Sequence, residues 1–117
     1  MIKLSEEHPI AAGVSFAIEW LGEIARHDFE KAEAMIDENT SGQPFESWFP
    51  NPDDFTYRHP DQFETWTVNL LAVSKQKFSL NFELPFKEIE YYPMKVMFTF
   101  VHQGNHLLVE FTGLMPS

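Results

Sequence analysis

The chain contains no cysteine, which excludes disulfide staples, thiol nucleophiles and thiolate-bound zinc or iron–sulfur centres in one step. Cations are scarce as well: eight Lys and Arg stand against eighteen Asp and Glu, a formal charge of −10 over 117 residues. Such a surface repels phosphates and offers no cationic track for counterion release, so nucleic acid is not expected as a partner. The five glycines are scattered singly, so there is no glycine-rich phosphate cradle and no nucleophile elbow. Long apolar runs are missing too. The uncharged apolar stretch at residues 9–18 is ten residues long and contains Gly13 and Ser15, too short to span a membrane and unlike a secretory signal. Asn39-Thr40-Ser41 spells a glycosylation acceptor that has no meaning without export. The expectation is a cytoplasmic protein with no membrane partner.

What is present is an aromatic-heavy core supply: twelve Phe, three Trp and three Tyr in a chain that is 44% hydrophobic. That argues against disorder and, at this length, for one domain over residues 1–117. The charge is uneven. Residues 1–64 hold four basic and fourteen acidic side chains, the remainder four and four. The hydrophobic period changes at about the same point, so helices are predicted to precede strands.

Ile10, Val14, Ala17, Ile18, Leu21, Ile24 and Ala25 recur at spacings of three and four, an apolar helical stripe with Pro9 suited to the first turn. His27-Asp28 interrupts it, and Asp28 can cap a shorter helix whose Phe29, Ala32, Met35 and Ile36 face inward. From Gln43 to Pro60, four prolines (Pro44, Pro50, Pro52 and Pro60) deny helix and central strand. Phe45, Trp48, Phe49, Phe55 and Tyr57 are threaded between them, which predicts a packed loop, with one helical turn near Glu46, folded over the core or a cavity mouth. Beyond it the period becomes two. Trp66 to Val73 reads as a strand buried on both faces, and Phe78, Leu80, Phe82 and Leu84 alternate with polar residues. Met94, Val96, Phe98, Phe100 and His102 line a third strand and Leu107, Val109 and Phe111 a fourth, with Gly104-Asn105 as a hairpin turn between them.

The segments Trp20-Leu21, Asp28-Phe29-Glu30-Lys31-Ala32 and Ile36-Asp37, with Phe82-Glu83-Leu84-Pro85 and Leu108-Val109-Glu110-Phe111, occur in an order that resembles the NTF2-like (cystatin-like cone) superfamily. The second half is similar to small bacterial members in which a strand ending in Leu-Pro precedes a hairpin and a terminal strand. The resemblance implies an α+β fold with N-terminal helices packed on a strongly curved antiparallel sheet, often with a pocket. Members include isomerases, dehydratases, ligand binders, transport adaptors and immunity proteins, so the fold alone does not select a function.

Each candidate chemistry has a plainer competitor. His102 and His106 have helical ligand spacing, but Gly104-Asn105 between them makes a turn, and no third ligand is evident, so no metal is expected. Asn51-Pro52-Asp53-Asp54 lacks the ladder of a calcium loop and reads as an Asx-capped turn. Tyr57-Arg58-His59 is the densest polar cluster of the middle segment; it either contacts a ligand or pairs Arg58 with Asp54 or Asp61. The isomerases of the superfamily need a carboxylate with raised proton affinity beside an oxyanion donor. Glu83 and Glu110 alternate out of phase with the apolar stripes and do not qualify. Trp20, Trp48 and Trp66 suit either core or pocket. Tyr91-Tyr92 lies in a polar connection and suits a protein contact.

The leading expectation is a non-enzymatic binding protein that engages a protein partner through its aromatic loop or through its acidic half, from Asp28, Glu30, Glu33, Asp37, Glu38 and Glu46 through Asp53, Asp54, Asp61 and Glu64, which would steer a basic partner as an antitoxin-type immunity protein does. The alternative is a small-molecule binder or isomerase- or dehydratase-like enzyme, with a small apolar ligand in the cone held by Trp20, Tyr57, His59, Trp66 and His102. No cofactor is expected. Homodimerisation through the sheet is expected from the apolar 66–73 strand and from Met97, Val101 and Leu108.

Overall fold

The computed structural model describes residues 1–49, 57, 59–62, 66–84 and 94–116. Asn51-Pro52-Asp53-Asp54, Phe55, Arg58, Glu64 and Tyr91-Tyr92, all singled out above, lie outside them.

Helix α1 spans Pro9–Ala25. His8 caps it by accepting the Ile10 N–H on Nδ1, and Pro9 occupies a first-turn position where no N–H is needed. Its deepest residues are Ala12, Phe16, Ala17, Trp20, Leu21 and Ile24, whereas Ile10, Val14, Ile18 and Ala25 are half-buried. The buried stripe is thus rotated toward Phe16 and Trp20, because the two large rings bury more apolar area than the aliphatics beside them.

The helix ends in a Schellman arrangement. The Asp28 N–H reaches the Glu23 carbonyl at 2.9 Å and the His27 N–H the Ile24 carbonyl at 3.0 Å, which requires His27 at φ 60°. Asp28 then caps α2, Phe29–Ala34, by accepting the Lys31 N–H at 3.1 Å. One dipeptide thus closes one helix and opens the next.

Among the described residues six strands form one open sheet. The long ones are β3 (Val68–Ala72), β4 (Lys77–Leu84), β5 (Met94–Gln103) and β6 (His106–Pro116). The short β1 (Ile2–Lys3) and β2 (Glu38–Asn39) were not legible as strands. The order is β1-β6-β5-β4-β3, antiparallel throughout except that β2 runs parallel to β6. Gly104, at φ 59°, makes the predicted turn that pairs Gln103 with His106. A register shift at Met97/Phe98 pairs Met97 with Gly113 and Phe98 with Phe111, so Thr112 is an extra residue and β6 bends there.

Period two builds the core. Phe78, Leu80, Phe82, Leu84, Val96, Phe98, Phe100, Leu107, Val109 and Phe111 are all buried. Phe16 meets Phe98 edge-on at 5.3 Å, and Trp20 meets Phe98 edge-on at 5.1 Å. Gly13 permits this approach, since a Cβ there would lie 3.2 Å from the Phe78 ring.

The 66–73 segment departs from expectation. Its strand is shorter, it is the last of the sheet with a neighbour on one side only among the described residues, and Asn69 to Ala72 are exposed. α1 packs over β4, and an apolar run that reads as doubly buried stays largely exposed.

Candidate functional site

The C-terminal turn of α1 carries Glu23 and Arg26 at a spacing that puts both on one helix face. Glu23 is only 7% exposed. Its Oε1 accepts a hydrogen bond from Arg26 and lies 3.5 Å from Lys31 Nζ of α2. The Arg26 hydrogen bond holds the Glu23 carboxyl below its ordinary range, against the opposing effect of burial and with the help of the Arg26 and Lys31 charges. A carboxylate kept ionised in this way is poorly matched to proton transfer near neutral pH.

Around this pair runs an open groove of about 500 Å³, lined by Ile18, Glu19, Gly22, Glu23, Arg26, Lys31, Met35 and His59. A second groove of about 480 Å³ adjoins it through Gly22, Arg26 and His59 and adds Tyr57 and Asp61. Asp61 Oδ1 sits 2.8 Å from His59 Nδ1, with the Asp61 side chain 76% exposed. A histidine–carboxylate pair suggests acid–base work, but no serine or threonine hydroxyl lines either groove among the described residues, where the Tyr57 phenol is the one hydroxyl. An ion pair this exposed is a weak organiser.

The five predicted ligand residues do not meet in one place. Trp20 is fully buried. Its ring is packed by Phe45 and Phe49, both at 6.3 Å, and by Phe98 and Phe111 at 5.1 and 6.2 Å. Phe45 and Phe49 come from the proline-rich segment, whose 3₁₀ turn Phe45–Trp48 is the predicted helical turn near Glu46. Phe45 and Phe49 fill the space beside Trp20 between the helices and the sheet. Tyr57 is buried against Phe29 and Phe49 while lining the second groove beside His59. Trp66 lies 5.6 Å from Phe82 and donates to the Glu83 carbonyl at 3.2 Å. His102 stands elsewhere, in a groove shared with His8 and Phe78. Tyr57 and His59 line one groove together.

His102 pairs with Leu107 and His106 with Gln103, so the two imidazoles fall on opposite faces of the sheet. Among the described residues no three His, Asp or Glu side chains converge as metal ligands. Glu83 is exposed and Glu110 half-buried. Glu110 pairs with Thr99 on the face away from the helix, where Ser79, Thr99 and Thr112 form a hydroxyl row at 2.9 and 3.3 Å. That row separates Met97 from Val101 and Leu108, so the outer face is not one apolar patch. The Glu23–Arg26–Lys31 cluster was missed in the sequence, although the Glu-x-x-Arg spacing at the helix end was a usable signal.

Fold and site together define an α+β protein with a filled aromatic interior and a charged groove at the junction of its two helices. No protein-family model matches the chain, and no curated protein or solved structure matches it either. No helix among the described residues is long and apolar enough to cross a membrane.

Proposed function

We propose that this chain is a non-enzymatic binding protein on an NTF2-like cone framework that engages a basic protein partner, in the manner of an immunity protein neutralising a cationic toxin. One observation carries the reading. Glu23 engages both Arg26 and Lys31, so the nearby cations are already committed to a carboxylate inside the helix junction. Glu30, Glu33, Glu38 and Glu46 are exposed with no ion pair among the described residues. They lie on α2, on β2, which pairs with β6, and on the 3₁₀ turn Phe45–Trp48. Exposed like charges held on a rigid frame steer association and select partners of opposite sign.

The test is affinity capture at low salt, followed by measurement of the association rate of the captured protein with rising salt. The same measurement is made on a Glu30→Gln/Glu33→Gln/Glu38→Gln variant. The proposal requires a basic partner whose association rate falls by about tenfold or more on raising salt and on removing the three charges. A partner indifferent to both refutes the electrostatic reading.

The small-molecule alternative has less support, since Trp20, Trp66 and His102 stand apart and the interior beside Trp20 is filled by Phe45 and Phe49. Self-association has a specific observation behind it. At the free edge Leu70, Leu71 and Val73 are 49%, 60% and 55% exposed, with no charge or proline between Val68 and Ser74 to guard the strand. We infer a homodimer formed along β3. Light scattering over a concentration series checks it: a Leu71→Lys protein should be monomeric where the parent is dimeric, and a parent that stays monomeric refutes it.

A further inference from the structure

Among the described grooves, one has lysines in its lining with no carboxylate to balance them. It encloses about 240 Å³ and is assembled from the start of α1 (His8, Pro9, Ile10), from Leu70 and Ala72 of β3, from the 74–76 turn, from Lys77 and Phe78 of β4, and from His102 near the end of β5. Two lysines and two histidines line it, and among the described residues no carboxylate does, in a chain of net charge −10. Neither Lys75 nor Lys77 has an ion-pair partner among the described residues.

The backbone brings these groups together. Val73 and Ser74 donate to the Lys77 carbonyl at 3.1 and 3.0 Å, and His102 donates to the Gln76 carbonyl at 2.7 Å, which folds the turn toward β5. His8 Nδ1 accepts the Ile10 N–H at 3.2 Å, so the ring proton of the neutral imidazole sits on Nε2, which is then a donor. The positive end of the 17-residue α1 dipole lies at the same place, with no acidic residue in its first turn. Apart from Ser74 and Gln76, the rest of the lining is apolar. Leu70 and Ala72 are on the helix side of β3, where they stay exposed, and Phe78, stacked on Phe100 at 5.1 Å, makes the floor.

We propose that this groove binds a small monoanion with a short apolar tail, an aliphatic carboxylate, with its charge among Lys75, Lys77, His8 and His102 and its tail against Leu70, Ala72 and Phe78. A neutral apolar molecule leaves the cations unpaired, and a bare anion leaves the apolar wall wet, so this lining favours a ligand with both parts. The volume sits below the roughly 300–1,000 Å³ of drug-sized sites, which limits the tail to a few carbons.

Titration of ¹⁵N-labelled protein with sodium hexanoate, monitored by NMR at constant ionic strength, tests the site, with 1-hexanol and sodium acetate as the tail-only and charge-only probes. Hexanoate should saturate the amides of Ile10, residues 72–78 and His102 in the low-millimolar range or tighter, as suits so small a ligand. Both controls should bind about tenfold more weakly or worse. A Lys75→Gln/Lys77→Gln variant should lose about tenfold for hexanoate and nothing for hexanol. Leu70→Ser, at an exposed edge position, should reduce hexanoate to the affinity of acetate with the remaining amide pattern unchanged. Absence of saturation, equal binding of hexanol and hexanoate, or full affinity in the lysine variant would each overturn the assignment.

Discussion

Replacing Trp20 tests whether the interior is a plug or a pocket. The indole is fully buried and ringed by Phe45, Phe49, Phe98 and Phe111, and its Nε1 donates to the Ala32 carbonyl at 3.1 Å. That carbonyl depends on the bond. At the end of α2, Met35 bonds back to Lys31 and Ile36 to Glu33, so neither helical N–H reaches Ala32. Trp20→Phe removes the bond, worth about 1 kcal/mol, and strands a buried acceptor, costing a further 1–3 kcal/mol or so. A loss of about 2–3 kcal/mol is expected. Trp20→Ala removes the ring as well and should cost about 4–5 kcal/mol. At roughly 3–6 °C per kcal/mol for a chain of this size, Trp20→Phe should melt about 10 °C below the parent by circular dichroism. Added indole should raise the melting temperature of Trp20→Ala, since an apolar void of matching shape binds its missing ring. A Trp20→Phe protein within about 0.5 kcal/mol of the parent would refute the account of a filled, bonded interior.

Glu23 and Gly113 give two further tests. The carboxyl of Glu23 titrates lower in the folded chain than its ordinary value of 4.5, so its contribution to stability is complete above that value and is lost as pH falls through the folded one. Urea unfolding of the parent should therefore weaken below about pH 4.5 more steeply than that of Glu23→Gln, and parallel curves would remove Glu23 as the cause. Gly113 lies at φ 127°, and a Cβ there would sit 3.1 Å from Trp48. Gly113→Ala should cost about 1–3 kcal/mol in chemical unfolding, and a neutral result would mean that β6 relaxes freely at its bulge.

Much of the fold was legible because two periodicities are written into the chain without interruption. Phe78 to Leu84, Met94 to His102 and Leu107 to Phe111 alternate cleanly, and each became a strand with the expected face inward. The α1 pattern was equally plain, but periodicity located its stripe only to within a side chain's width. The weight of Phe16 and Trp20 then decided which residues were deepest. Local pattern failed where a neighbour decides the outcome. Val68 to Ala72 is apolar enough for a doubly buried strand, yet burial there depends on what packs over it, and Asn69 to Ala72 stay exposed. The pairs Ile2-Lys3 and Glu38-Asn39 have no period at all, and they are strands only because the margin of β6 is free to receive them.

The same distinction separates what was and was not legible in the candidate sites. Glu23 and Arg26 meet through helix geometry alone, so their pairing lies within reach of a spacing argument, whereas the arrival of Lys31 depends on the turn that His27 makes at positive φ. The cationic groove goes further. His8, Lys75, Lys77 and His102 come from four separate elements, and none is unusual among its sequence neighbours: Lys75 reads as a turn residue and His8 as a helix cap. Their association follows from a short β3–β4 turn bonded to β5 and from Gly13, which lets α1 settle on Phe78. Composition recorded only the chain-wide excess of acid, and a sum over the chain conceals a local reversal of sign. In a chain of this charge, lysines with no ion-pair partner among the described residues, gathered beside exposed leucine and alanine, are the more specific signal, because they make a local exception to the sign of the chain-wide field.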